Sequence, residues 1–140
     1  MASDRSRLDA LIEGYFRNAQ ASGKERPDWW AWEEVDDIVH HDPPAAAWTV
    51  VLEMVRRAPE ELVGDIAAGP LEDLVKRRGV ELIDELETAA RREPRVRQAL
   101  GGIWIRWGAL PDAIIARLIR ASGDRINPLD RDPGSGRPRA

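Results

Sequence analysis

Residues 42–58 carry the sequence DPPAAAWTVVLEMVRRA, in which apolar side chains cover nearly every side of a helix. Asp42 and Pro43 suit a helix start, because Pro lacks the N–H that the first helical position leaves unbonded. Arg56 and Arg57 suit the other end, where the helix dipole is negative. A helix that is apolar all round is normally buried, so we expect this one at the centre of a domain.

Helical spacing continues on both sides of this segment, and no stretch shows a convincing alternation with a period of two. Proline repeatedly stands where a helix would begin, and glycine stands just past the ends. The predicted helices span about 6–21, 28–41, 43–58, 59–69, 70–79, 80–92, 94–107 and 111–122. We therefore predict an all-α domain of about eight short helices, arranged either as HEAT-like stacked hairpins or as an irregular orthogonal bundle. The predicted domain covers residues 1–123, and residues 124–140 are predicted to form a flexible tail.

The composition limits the classes of function. The chain has 140 residues, no cysteine and two histidines, which excludes disulfides, thiolate zinc sites and a thiol nucleophile. No apolar run approaches the ~20 residues of a membrane helix, and the N-terminus lacks the apolar core of a signal peptide. We therefore expect a cytoplasmic protein without membrane contact.

The net charge of −4 makes nucleic acid an unlikely partner, since such binders are usually basic. The arginine clusters near helix ends keep that class open as a third choice.

The segment 28–42 is the most unusual part of the chain. It contains six carboxylates, no Lys or Arg, and half of the six tryptophans. On a helical wheel one arc is apolar, and it consists of Ala31, Trp32, Val35, Ile38 and Val39. The opposite arc carries Glu33, Glu34, Asp37, His40 and His41, with Trp29 and Trp30 on or beside it.

Two interpretations of this helix remain open. In the structural one, Trp32 is core, the acids form a solvated face, and Trp29 and Trp30 pack under the preceding loop. In the functional one, an acidic surface with aromatic anchors docks a basic protein, because tryptophan is enriched among interface hot spots and complementary charge steers association. The predicted partner-binding residues are Trp29, Trp30, Glu33, Asp37 and His40.

The chain is poorly equipped for catalysis. A di-iron site needs a carboxylate–histidine pair twice, and His40 and His41 are the only histidines, so we predict no metal and no cofactor. No serine lies in a nucleophile-elbow context. The sequence therefore favours a non-enzymatic module.

The segment 67–74, with sequence AAGPLEDL, predicts a tight corner between two helices. Gly69 would cap the first helix and Pro70 would begin the second. Glu72 would then reach back to free backbone N–H groups. A functional alternative turns Glu72 inward, towards a pocket between helices around Trp48, Glu72 and Trp104, where a small molecule would bind or react. The spacing of Trp104 and Trp107 indicates core positions first and a ligand pocket second.

Several of these features together resemble a family of small bacterial helical domains of unknown function. The resemblance covers roughly residues 32–107, and its most specific element is the Ala-Gly-Pro-Leu-Glu-Asp-Leu motif of residues 68–74. The other elements are Asp42-Pro43, Ala47-Trp48, Gly79, Glu87, Ala90-Arg91, and Ala99-Leu100 before Trp104. The resemblance implies a bacterial helical domain, and it brings no activity, cofactor or catalytic residue with it.

The predicted function is that of a bacterial protein-interaction module, of which an immunity- or antitoxin-like inhibitor is one concrete version. The alternative is a small-molecule-binding protein or an enzyme that uses the pocket around Trp48, Glu72 and Trp104.

Overall fold

The computed structural model describes residues 4–131, and the predicted all-α class is confirmed. The helices are α1 (Asp4–Gln20), α2 (Trp29–His41), α3 (Pro44–Arg57), α4 (Val63–Ile66), α5 (Glu72–Arg92), α6 (Pro94–Leu100) and α7 (Asp112–Ala121). A 3-10 turn, Glu60–Leu62, precedes α4, and a π turn, Ala67–Leu71, joins α4 to α5. Within residues 4–131 the only extended pairing is an isolated bridge between Arg106 and Leu129.

The long helix α5 is the central element of the domain. It packs against α3, α6 and α7, and more lightly against α2, while α1 packs mainly on α2. Apolar side chains of these helices meet in one core, whose most deeply buried members include Ile12, Met54, Leu74, Leu86, Leu100, Ile115 and Leu118. Burial of such side chains contributes about 1.5–3 kcal/mol each relative to exposure. The helix α3 contributes one side to this core, with Ala47, Val51 and Met54 fully buried. Ala45, Ala46 and Thr49 are exposed, so the prediction of a central helix that is buried all round is wrong.

The predicted corner at Gly69-Pro70 is wrong, because the chain stays helical from Val63 to Arg92. Proline has no N–H to donate, and its ring collides with the carbonyl four residues earlier in a regular α-helix. The π turn relieves that collision by widening the hydrogen-bonded ladder at Pro70. The helix therefore passes through the proline instead of restarting there.

The predicted break at Gly79 is also wrong, because Gly79 is buried inside α5. A Cβ atom at this position would lie 3.1 Å from Cδ1 of Leu110, so the glycine lets the segment after α6 approach the helix closely. Leu82, Ile83 and Leu86 continue the buried stripe beyond it. Their burial outweighs the cost of about 1 kcal/mol that glycine imposes on a helix.

The predicted helix over 94–107 ends early, at Leu100. Beyond the Gly101-Gly102 pair the chain is extended, and Ile103 and Ile105 are buried while Trp104 is 62% exposed. The N–H of Leu129 donates to the carbonyl of Ile105 (2.8 Å), and the N–H of Trp107 donates to the carbonyl of Leu129 (2.9 Å). The prediction that Trp104 is a core residue is therefore wrong. Pairing with the distant residue Leu129 makes buried and exposed side chains alternate along this stretch.

The beginning of the predicted flexible tail packs against the helices. Ile126 is 4% exposed, and its N–H and that of Arg125 donate to the Ser122 hydroxyl. Arg131 forms an ion pair with Asp112 at the start of α7 (2.9 Å). Residues 132–140 lie outside the described residues, so the division into a domain and a tail stays a prediction.

Candidate protein-docking surface and the cavity beside it

The three tryptophans of α2 are all exposed in part. The exposed fraction is 43% for Trp29, 45% for Trp30 and 37% for Trp32. The rings of Trp29 and Trp32 stack, with centroids 4.5 Å apart and planes 11° from parallel. Trp30 lies over Gly14 of α1, where a Cβ atom would come within 3.0 Å of its ring. Trp32 is therefore not the core residue that the helical wheel predicts, and its ring extends a surface aromatic pair.

The start of α2 is held by an ion pair with α1. Arg17 donates to both carboxylate oxygens of Asp28, through Nε and Nη2 at 3.1 Å each. These hydrogen bonds hold the pKa of Asp28 below its usual range. Among the six carboxylates of residues 28–42, Asp28 is the one that an arginine or lysine of residues 4–131 neutralises.

The other predicted acids face outward without a basic partner. Glu33 and Glu34 make no hydrogen bond or ion pair with residues 4–131. Asp37 is close only to His41, at 3.7 Å between Oδ1 and Nε2. With Trp32, Asp36 and His41 these acids line an open depression of about 440 Å³. We call Trp29, Trp30, Trp32, Glu33, Glu34 and Asp37 the acidic aromatic face.

The predicted partner-binding residue His40 lies elsewhere. It is half-buried, and its Nδ1 is 2.5 Å from the carbonyl oxygen of Asp36 and 3.3 Å from Oδ1 of the same residue. The wheel placed His40 on the outward arc, but α5 and the π turn pack against this edge of α2 and cover it. His40 therefore does not belong to the acidic aromatic face.

A small cavity adjoins that face on the inner side of α2. Its volume is about 80 Å³, and it lies between α1, α2, the π turn and the start of α5. The lining residues are Tyr15, Trp32, Val35, Asp36, Val39, Gly69, Pro70 and Asp73. Trp32 and Asp36 line both this cavity and the open depression, so the two are neighbours.

The polar groups of the cavity are unusually placed. Tyr15 is 8% exposed, yet its hydroxyl makes no hydrogen bond with residues 4–131. Burial, and then the charges of Asp65, Asp73 and Asp36, raise the pKa of Tyr15 to about 12. Burial likewise raises the pKa of Asp73 above its ordinary value. This site was not predicted, although Gly69, Pro70 and Asp73 belong to the AGPLEDL motif, because the motif alone does not show that Tyr15 and Asp36 lie beside it.

The alternative pocket is not assembled as predicted. Trp48 is buried and lines a groove of about 370 Å³ with residues of α3, such as Arg56, residues of α5, and Glu93 between α5 and α6. Glu72 and Trp104 do not line that groove. Oε1 of Glu72 instead accepts the backbone N–H of Trp104 (2.6 Å), and Oε2 pairs with Lys76 (3.1 Å). Glu72 does not cap its own helix, since the π turn leaves no free N–H groups there.

Two of the arginines that end α3 are engaged within the domain. Arg56 donates to Glu93 and Glu53, and Arg57 pairs with Glu53 and with Asp9 of α1. Hydrogen bonds from Arg56 hold the pKa of Glu93 below its usual range. These side chains connect helices, which agrees with a structural role for this cluster.

Two kinds of feature are absent from the described residues. Residues 4–131 bring no three His, Asp or Glu side chains together in a way that could hold a metal ion. Within the same range no helix combines the length and the apolar character needed to cross a bilayer.

The domain is thus a small all-α unit with a helix whose aromatic and acidic side chains remain exposed. It belongs to DUF6869, a family of unknown function, whose model matches residues 18–125. No curated protein and no solved structure matches the chain. The match includes α2, the π turn and the AGPLEDL motif, and it gives no activity to transfer.

Proposed function

We propose that this domain is a non-enzymatic protein-interaction module that docks a basic partner through the acidic aromatic face. The observation that carries the proposal is that Trp29 and Trp30 are each more than two-fifths exposed beside acids without basic partners. A fully covered aromatic side chain buries about 150–250 Å², so each of these partly exposed rings has roughly 60–110 Å² left for a partner to cover. Tryptophan anchors of this kind dominate the energetics of many interfaces.

The geometry of the face favours a specific binding surface over the alternative in which its side chains are only solvated. The stacked Trp29 and Trp32 rings restrain each other, so fewer rotamers are lost when a partner covers them. Glu33, Glu34 and Asp37 add negative charge that no lysine or arginine of residues 4–131 offsets. A field of one sign speeds encounter with a partner of the opposite sign and disfavours acidic competitors.

We further propose that the domain works in the bacterial cytoplasm as an immunity- or antitoxin-like inhibitor, within a HEAT-like arrangement of helices. The net charge of −4 supports a basic protein partner over nucleic acid, whose phosphates need cationic surface. An inhibitor of this class needs a complementary surface and no catalytic group. Both carboxylate oxygens of Glu72 have partners, one the N–H of Trp104 and the other Lys76, which gives no support to an enzymatic pocket around Glu72.

The test begins with the full chain as bait in a lysate of its host, followed by purification of the captured basic protein. The dissociation constant is then measured by calorimetry for wild type and for the Glu33→Lys, Asp37→Lys variant. The matched control is Glu61→Lys, Glu81→Lys, which changes the charge equally at exposed acids elsewhere.

We expect the face variant to weaken binding at least about a hundredfold, because several complementary charges become repulsive. The control should bind within about threefold of wild type, since distant rim charges matter little. A second pair, Trp29→Ala against the exposed Trp104→Ala, checks the aromatic contribution in the same way. Equal affinities of face and control variants, with unchanged helical circular dichroism, would refute the docking surface.

A further inference from the structure

The cavity beside the acidic aromatic face has the polar groups of a binding site, and two of them, Tyr15 and Asp73, have no side-chain partner within residues 4–131. Tyr15 is only 8% exposed as a residue, its side chain lines the cavity, and its hydroxyl makes no hydrogen bond with residues 4–131. An unsatisfied buried hydroxyl costs free energy unless a ligand or water bonds to it. Its position therefore points to a guest that occupies the cavity.

The two carboxylates of the cavity indicate the charge of that guest. Asp73 makes no hydrogen bond or ion pair with residues 4–131. Asp36 has only the half-buried His40 ring close to it, at 3.3 Å. Lys76, the nearest lysine along α5, is engaged by Glu72 instead. A cation entering the cavity would thus meet two carboxylates that form no ion pair with a Lys or Arg of residues 4–131.

The shape and the donors of the guest follow from the same residues. A primary ammonium has three N–H donors and no acceptor, and it matches one hydroxyl and two carboxylates. The ring of Trp32 forms an apolar wall that suits an alkyl stem and attracts a cation. A volume of about 80 Å³ fits a compact charge more readily than the planar, five-donor guanidinium.

We infer that this cavity binds a primary ammonium group, and that in the complex it receives a lysine side chain of the basic partner. The second half of this inference rests on the proposed function, since the lysine enters past Trp32 and Asp36, which also line the open depression of α2. The first half stands on the cavity alone.

The probe is n-butylammonium chloride, which has the length and charge of a lysine side chain. The ¹⁵N-labelled full chain is titrated by NMR near pH 8, where an ordinary histidine is neutral, at constant ionic strength. The signals followed are the amides of Asp36, Gly69 and Asp73 and the indole N–H of Trp32. The comparison compounds are n-butanol, which lacks the charge, and n-butylguanidinium, which mimics arginine.

Three variants separate site binding from general attraction. Tyr15→Phe removes only the hydroxyl, and Asp73→Asn removes one cavity charge. Glu81→Gln is the matched control, because it removes an exposed charge of the same sign that does not line the cavity. Circular dichroism verifies that each variant is folded.

We expect saturable shifts confined to the cavity with n-butylammonium and none with n-butanol. Asp73→Asn should weaken binding at least about tenfold, and Tyr15→Phe about threefold, as expected for a charged and a neutral hydrogen bond. Glu81→Gln should change it less than about twofold. Linear shifts spread over all of α2, equal shifts with n-butanol, or equal binding by all three variants would overturn the inference.

The source of the ammonium is tested on the complex. Tyr15→Phe should weaken binding of the captured partner about threefold, and acetylation of the partner's lysines should abolish that difference. Cavity binding of n-butylammonium without any effect of Glu33→Lys, Asp37→Lys on the partner would remove the docking surface and keep the site. If that variant loses partner binding but n-butylammonium causes no shifts at the cavity, the docking surface is supported and the ammonium site is refuted.

Discussion

The chain contains a single tyrosine, Tyr15, so its ionisation can be followed without interference from another phenol. Burial and the neighbouring acids raise its pKa from 10.0 to about 12. A phenol in the unfolded chain ionises near its ordinary value, so the folded state must hold its proton over a higher range of pH. The difference between the two states couples the ionisation of Tyr15 to stability.

The sign and size of the effect follow from that difference. Because the pKa is raised on folding, the contribution to the free energy of unfolding is fully present below pH 10.0 and is lost as the pH rises through about 12. Each tenfold change in the ionisation constant corresponds to about 1.4 kcal/mol. The loss attributable to Tyr15 is therefore about 3 kcal/mol between these two pH values.

The assay compares wild type with Tyr15→Phe by urea denaturation at several pH values up to about 12. Lysines titrate in both proteins, so the difference between the two free energies of unfolding at each pH reports the ionisation of Tyr15 alone. Absorbance of tyrosinate measures the pKa in the folded protein directly. Asp73→Asn should lower that pKa, because the charge of Asp73 is one of its causes. A folded protein whose tyrosine ionises near 10, or a Tyr15→Phe variant that loses stability as steeply as wild type, would refute the reasoning.

Two further predictions concern packing. Gly64 is exposed with open space around its Cβ position, so Gly64→Ala should raise the free energy of unfolding by about 1 kcal/mol in urea denaturation. Gly79→Ala should give no such gain, because its methyl group would lie 3.1 Å from Leu110, and a gain equal to that of Gly64→Ala would contradict the close contact. Glu72→Ala should cost about 1 kcal/mol through the unpaired amide of Trp104, whereas Glu72→Gln should recover most of it. Hydrogen exchange of that amide measures the effect directly, and equal exchange in wild type and Glu72→Ala would exclude the bond.

The sequence predicted the helical class and the outward acids of α2, since both depend on local periodicity and charge. It misplaced the breaks at Gly69-Pro70 and Gly79, because packing against the core outweighed the local preferences of glycine and proline. Trp104 was predicted as core from spacing that suits a helix, but pairing with Leu129 imposes an extended chain. Such pairing between segments far apart in the chain leaves no local pattern in the sequence from which it could be predicted.

The inner cavity was not predictable from one sequence for a related reason. Tyr15, Asp36 and Asp73 stand on three different helices, and nothing in the spacing between them indicates that they meet. The proposed docking residues Trp29, Trp30, Glu33 and Asp37 lie within one helix, which is why the wheel could group them. The wheel placed His40 on the outward arc, whereas it is half-buried, because the wheel does not show which neighbour covers the edge of a helix. Its role in partner binding stays a prediction.

The π turn between α4 and α5 also places Gly69 and Pro70 beside the inner cavity. Its extra residue lets the chain pass through Pro70 on a helical path from Val63 to Arg92, without the collision that a regular α-helix would impose. Deleting Ala68 would remove that extra residue and bring Pro70 back into conflict with the carbonyl four residues earlier. The segment would then have to kink or break, and Gly69 and Pro70 would no longer form one wall with Tyr15 and Asp73. A homologue that lacks this residue would therefore need a different amino acid in place of Pro70, or would lose the cavity.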